Sequence, residues 1–252
     1  AAPVAEVSSP DGNIKVVVEI DNDGRPNYQI SRKGKLLIAP SMLGFILTDS
    51  YNMVRGFKAD GSETSKSDGS WEQPWGERRI VRDNHTELLV KFRQTAYLKR
   101  QMNVRFRVFN DGVGFRYEIP DQPNLKTMNI ADESTEFAIA PKGKAWWIAG
   151  GEWNRYEQVY QNTPIDAVSV AHTPITMRLD DGTHLSFHEA ALVDYSGMWF
   201  KRADGQKFRA MLAPSSRGPK VVRGTPFTTP WRAIRMADNA AGLVENDLEL
   251  NL

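Results

Sequence analysis

Apolar and polar residues alternate along most of this chain. Ile14, Val16, Val18 and Ile20 are interleaved with Lys15, Val17 and Glu19, and Asp21-Asn22-Asp23-Gly24 follows. A period of two places one set of side chains on a single sheet face, and Asp and Gly tolerate the left-handed backbone of a tight turn. Leu88, Val90 and Phe92 repeat the pattern. Val104, Phe106 and Val108 return through Asn110-Asp111-Gly112 to Val113, Phe115, Tyr117 and Ile119, with Arg105, Arg107, Arg116 and Glu118 on the opposite face. Two more hairpins are predicted. One joins Ile175, Met177 and Leu179 to Leu185 and Phe187 through Asp180-Asp181-Gly182; the other joins Trp199–Lys201 to Phe208–Leu212 through Ala203-Asp204-Gly205. Strands linked by Asp-Gly turns make antiparallel sheets with one buried face each, and such sheets pack against one another. The pattern predicts an all-β protein, a large antiparallel sandwich.

Helical signal is confined to Ala240–Asn246, where one short turn is expected. Ala59–Ser70, Asp121–Lys126 and Ser215–Pro226 are rich in Ser, Gly, Pro and charge and read as exposed loops. None is long or biased enough to be a linker, so residues 1–252 are expected to form one sandwich domain. Leu248-Glu249-Leu250-Asn251-Leu252 alternates and reads as a final strand; its abrupt stop suggests a chain that continues.

Composition narrows the function classes. A net charge of +1 gives no reason to expect a nucleic-acid or membrane-surface partner, and no apolar run is long enough to span a bilayer. The absence of cysteine removes disulfides, thiolate catalysis and cysteine-ligated zinc. Ala1-Ala2-Pro3-Val4-Ala5 has the small residues left by signal-peptide cleavage, which points to a periplasmic or secreted protein.

Candidate chemistry is sparse. There is no Gly-x-Ser-x-Gly elbow, phosphate-binding loop or dinucleotide fingerprint. His184 and His188 share a strand face, but four residues of strand span roughly 13 Å, too far for one metal ion. Glu189 lies two residues beyond Phe187, so alternation turns its carboxylate to the apolar face. A buried charge needs a partner: an arginine, a backbone amide, or a hard cation such as Ca²⁺. Trp146, Trp147 and Trp153 surround Glu152, and Trp71 and Trp75 bracket Glu72. Aromatic faces beside carboxylates suit sugar rings, and Glu152 and Trp153 are the candidate substrate contacts. Large rings equally suit a sandwich core. A glycosidase needs two acids at a set separation, and no such pair can be assigned here.

Several segments together resemble a known family. Ser9-Pro10-Asp11-Gly12, Trp71–Glu77, Arg105–Tyr117, Ala145–Ile148, Arg155-Tyr156-Glu157, Leu185–Leu192 and Thr229-Pro230-Trp231-Arg232 are similar, in this order, to the N-terminal region of glycoside hydrolase family 97. The His188-Glu189-Ala190-Ala191-Leu192 run and the closing Pro230-Trp231-Arg232 are the most specific. The resemblance implies a galactose-mutarotase-like β-super-sandwich, followed in family members by a (β/α)₈ barrel that carries the catalytic acids of an exo-acting α-glucosidase or α-galactosidase. It implies that Glu189 ligates a Ca²⁺ ion whose other protein ligands come from the barrel. No catalytic residue is therefore assigned to these residues; the expected partners are an oligosaccharide substrate and the chain's own C-terminal barrel. The alternatives are a free-standing carbohydrate-binding sandwich and, less favoured because adjacent strand residues face opposite ways, a mutarotase built on His188 and Glu189.

Overall fold

The computed structural model describes residues 3–76, 80–150, 160–192, 195–213 and 220–252. In chain order the strands are β1 (Pro3–Ser8), β2 (Ile14–Ile20), β3 (Pro26–Arg32), β4 (Lys35–Met42), β5 (Phe45–Leu47), β6 (Phe57–Glu72), β7 (Ile80–Gln94), β8 (Gln101–Phe109), β9 (Gly112–Ile119), β10 (Thr127–Glu133) and β11 (Glu136–Ile139). They continue as β12 (Gly143–Ile148), β13 (Tyr160–Pro164), β14 (Val170–His172), β15 (Ile175–Leu179), β16 (His184–Ala190), β17 (Met198–Asp204), β18 (Lys207–Leu212), β19 (Val221–Gly224), β20 (Phe227–Thr228) and β21 (Trp231–Ala237). A short helix, α1 (Ala240–Val244), follows.

These strands form two large sheets and a small one. One large sheet runs β1-β2-β3-β4-β11-β18-β17-β14, and the other runs β13-β12-β15-β16-β21-β9-β8-β7-β6, with β20 paired to β9. The third, β19-β10-β5, lies apart from both ladders. Alternation decides which side chains meet. In β2, Ile14, Val16 and Val18 are fully buried while Lys15 and Val17 are half-buried. The two large sheets meet through aromatic rings. Tyr28 of β3 lies 5.0 Å from Phe115 of β9, Phe137 of β11 lies 5.7 Å from Phe187 of β16, and Phe200 of β17 lies 5.1 Å from Phe187. Such tilted pairs add to the gain from burying large apolar area, and the rings belong to one continuous core cluster that draws on both sheets.

The predicted hairpins form in the expected register. Val108 faces Val113 across the β8–β9 turn, and Met177 faces Leu185 across β15–β16. Gly112 sits at φ +158°, and a Cβ there would fall 2.3 Å from the Ile234 carbonyl oxygen of β21, so only glycine lets the two strands close. α1 occupies the short helical stretch, capped by Asn239, whose Oδ1 accepts from the Gly242 amide at 2.8 Å.

Three expectations are corrected. Residues 59–70 are not a loop: they belong to β6, an edge strand paired, among the described residues, only with β7, through a register shift at Ala59–Ser62. Its polar composition reflects an exposed strand with no buried face, which also protects the open edge from pairing with another chain. In the stretch 215–226, Val221–Gly224 is β19, paired with β10; residues 215–219 lie outside the described part. The Leu248–Leu252 strand is instead a 3₁₀ turn over Leu248–Asn251. Asn246 Oδ1 accepts from the Leu248 amide at 2.9 Å and starts the turn, and the i, i+3 positions Leu248 and Asn251 eclipse and are both buried.

Candidate functional site

β16 and β21 lie side by side with Glu189 opposite Arg232. Glu189 follows Leu185 and Phe187 on the inward side, and Arg232 precedes Ile234 and Met236 on theirs, so both charges enter the sandwich at its end. Arg232 Nη1 donates to Glu189 Oε2 at 3.0 Å. The rest of the guanidinium turns to Glu133, at the end of β10, with Nε donating to Oε2 at 3.1 Å and Nη2 to Oε1 at 2.8 Å. Arg232 and Glu133 side chains are wholly buried and Glu189 is 10% exposed.

Hydroxyl groups complete the cluster. Tyr195 donates to Glu133 Oε1 at 2.9 Å and Thr135 Oγ1 to Glu133 Oε2 at 2.8 Å. The single Thr135 proton is thereby used, so the 2.7 Å contact between Tyr117 and Thr135 has the phenol donating. Tyr117 in turn accepts from the Gly44 amide at 3.0 Å. Burial, followed by the Glu133 charge, pushes both phenols far above their ordinary range, so both stay neutral donors. Burial disfavours the Arg232 charge, but Glu133, with help from Tyr195 and Glu189, outweighs it and raises the guanidinium above its usual value.

Among the described residues two acids, Glu133 and Glu189, face one guanidinium. Glu189 Oε2 takes the arginine; the Met198 amide approaches Oε2 at 3.2 Å and Oε1 at 3.3 Å. An ionised carboxylate has about four lone-pair sites, so Oε1 keeps room for another partner. Calcium needs six to eight oxygens. Glu189 fits as one of them, but among the described residues no three His, Asp or Glu side chains gather into a site, so other ligands would have to come from elsewhere.

The Thr229–Arg232 segment shows why its residues alternate in role. Thr229 caps the β9 edge: its amide donates to the Tyr117 carbonyl at 3.1 Å and its hydroxyl accepts from the Tyr117 amide at 3.0 Å. Trp231 faces outward, fully buried between the Arg107 and Arg116 guanidinium groups at 4.7 and 4.6 Å. Arg232 faces in.

The other candidates are dispersed. Glu152 and Trp153, with Arg155, Tyr156 and Glu157, lie outside the described residues. Trp147 is core, its Nε1 donating to Thr163 at 2.9 Å. Trp71 is half-exposed and donates to Asn251 Oδ1 at 2.7 Å, while Trp75 at the end of the β6 arm is 79% exposed. His184 Nδ1 contacts the Gly182 carbonyl at 2.8 Å, and His188 Nδ1 is buried without a hydrogen-bond partner among the described residues.

Sequence reasoning found Glu189 but not its surroundings. The signal for Arg232 was present, since it keeps step with Ile234 and Met236. Glu133 gave none: Met128 and Ile130 predict that residue 132 points inward, but a register shift between Ile130 and Asp132 turns Glu133 inward instead.

Residues 7–252 match the family described as Glycosyl-hydrolase 97 N-terminal. The chain belongs to glycoside hydrolase family 97. A family 97 enzyme from Pseudoalteromonas sp. strain K8, solved in complex with acarbose, superposes with a TM-score of 0.92 at 42% identity, covering 97% of this chain and 37% of that one. An E480Q variant of a family 97 enzyme from the same strain, in complex with panose, gives a TM-score of 0.91 at 42% identity, with the same 97% and 37% coverage. A retaining alpha-galactosidase from Bacteroides thetaiotaomicron is 22% identical over 229 residues, 86% of this chain and 33% of that protein. This family 97 chain thus corresponds to the N-terminal domain of the family's enzymes and spans 33–37% of the length of these relatives. The β-super-sandwich expected from the sequence is the fold observed.

Proposed function

We propose that this family 97 chain is the N-terminal sandwich of an exo-acting α-glycosidase acting on α-glucosides or α-galactosides, exported to the periplasm or secreted. In this reading the catalytic acids lie on a (β/α)₈ barrel beyond these residues, and the sandwich contributes one calcium ligand, Glu189, and rim contacts from Glu152 and Trp153. The observation that carries the calcium role is the geometry of the Glu189 carboxylate: one oxygen is anchored by Arg232, the other keeps lone pairs beyond the Met198 amide, and among the described residues two acids share the one guanidinium. Supporting the enzyme class are the acarbose- and panose-bound family 97 structures and the alpha-galactosidase relative. When bound, a calcium ion would supply a fixed positive charge beside a sugar; this chain's part is to hold the carboxylate in place.

The test is calcium titration of the full native polypeptide that contains this chain. Binding should be measurable by calorimetry, and Glu189→Gln, which keeps the shape but removes the charge, should weaken it about 10-fold or more, the loss of a charged oxygen ligand. Unchanged affinity in Glu189→Gln would remove the assignment.

A further inference from the structure

Resting on the proposed calcium role of Glu189, we infer that Arg232, clamped by Glu133, is the positioning residue for that ligand: it holds Oε2 and leaves Oε1 as the oxygen available to the cation. Arg232 spends Nη1 on Glu189 and both Nε and Nη2 on Glu133, so its planar fork cannot swing without breaking the bidentate pair. Glu133 is itself held by Tyr195 and Thr135, and Thr135 by Tyr117. The orientation of Glu189 is thus set by a chain of buried hydrogen bonds that ends on the Gly44 backbone.

The electrostatics give Glu133 a second task. An arginine paired to Glu189 alone would make a neutral ion pair, which attracts no cation. Glu133 takes up the guanidinium charge on its far side, so Glu189 is oriented by arginine without being neutralised by it. Outer-shell groups of this kind commonly change metal affinity by about 10–100-fold.

The experiment measures calcium Kd by calorimetry, and the melting temperature without calcium, on the full native polypeptide and its variants. Glu133→Gln leaves the arginine charge to fall on Glu189, and Arg232→Lys replaces the fork by a point charge; each should weaken calcium binding by about 10-fold or more. Tyr195→Phe, which removes one hydrogen bond to Glu133 and leaves the ion pair intact, should weaken it by roughly 3–10-fold and serves if the charge variants do not fold. A purely structural cluster would lower the melting temperature and leave Kd as in the wild type, and that outcome across the folded variants overturns the inference. If Glu189→Gln itself leaves Kd unchanged, the calcium reading fails first; if only Glu189→Gln weakens binding, that reading stands and the positioning role falls.

Discussion

The Arg232 guanidinium meets the Glu133 carboxylate through two hydrogen bonds, of 3.1 and 2.8 Å, with neither side chain exposed to solvent. The pair joins the large sheet through β21 to the small sheet through β10. Removing Glu133 leaves Arg232 Nε and Nη2 without their acceptors in the interior, with only the single Nη1 bond to Glu189 remaining. Glu133→Ala should therefore cost about 3–5 kcal/mol, read from urea unfolding. A cost below about 1 kcal/mol would show that Arg232 finds water or a new partner.

On the outer face, Arg105 bridges two acids, donating to Glu87 Oε2 at 2.7 Å and to Glu118 Oε2 at 2.7 Å. Arg107 adds a bond to Glu87 at 2.9 Å and Arg116 one to Glu118 at 3.0 Å. Burial raises both carboxyls, but the arginine bonds and charges together hold each below the ordinary value. A folded-state pKa below the unfolded one, near 4.3 for Glu, adds stability that is present above that value and lost as the pH falls through the folded value. The urea midpoint should fall as the pH drops from about 5 to about 3. In Arg105→Met the fall should be shallower; an identical slope would mean that these acids do not govern it.

Gly112 and Gly182 occupy comparable hairpins but different surroundings. Both have positive φ, +158° and +93°, yet a Cβ on Gly182 meets nothing within 4 Å, whereas on Gly112 it meets the Ile234 carbonyl at 2.3 Å. Gly182→Ala should cost about 1 kcal/mol, the backbone strain alone. Gly112→Ala should cost clearly more, because two strands must separate. Equal midpoints for the two variants in thermal unfolding would contradict this.

Two tryptophans on the β6 arm should behave differently. Trp71 ties the arm to Asn251, whose Nδ2 donates to the Arg82 carbonyl at 3.0 Å. Trp71→Phe should cost about 1 kcal/mol, the worth of one hydrogen bond. Trp75→Ala, at an exposed position, should change the stability of this chain by less than about 0.5 kcal/mol. Denaturation curves of the two variants check both values.

The readable parts of the fold were those in which one face is buried. Val104–Ile119 announces its hairpin because each inward residue is apolar and the turn needs Asn-Asp-Gly. β6 was hidden because a strand exposed on both faces has no alternation to show. Leu248–Leu252 misled for the opposite reason: its alternation is real, but no strand edge receives it, and a side chain at Asn246 diverts it into a turn. At the site, Glu189 and Arg232 keep the period of their strands and were legible in principle. Glu133 was not, because one bulge inverts the rule.

β6 buries only its first residue, Phe57, and every position from Lys58 to Glu72 is exposed. Its backbone is held by β7, and backbone bonds do not discriminate among side chains. Most side-chain changes from Lys58 to Ser70 should therefore leave little mark on folding. The arm is thus a rail fastened to the sandwich through Trp71 and Asn251, along which most side chains can be changed without disturbing the core beneath.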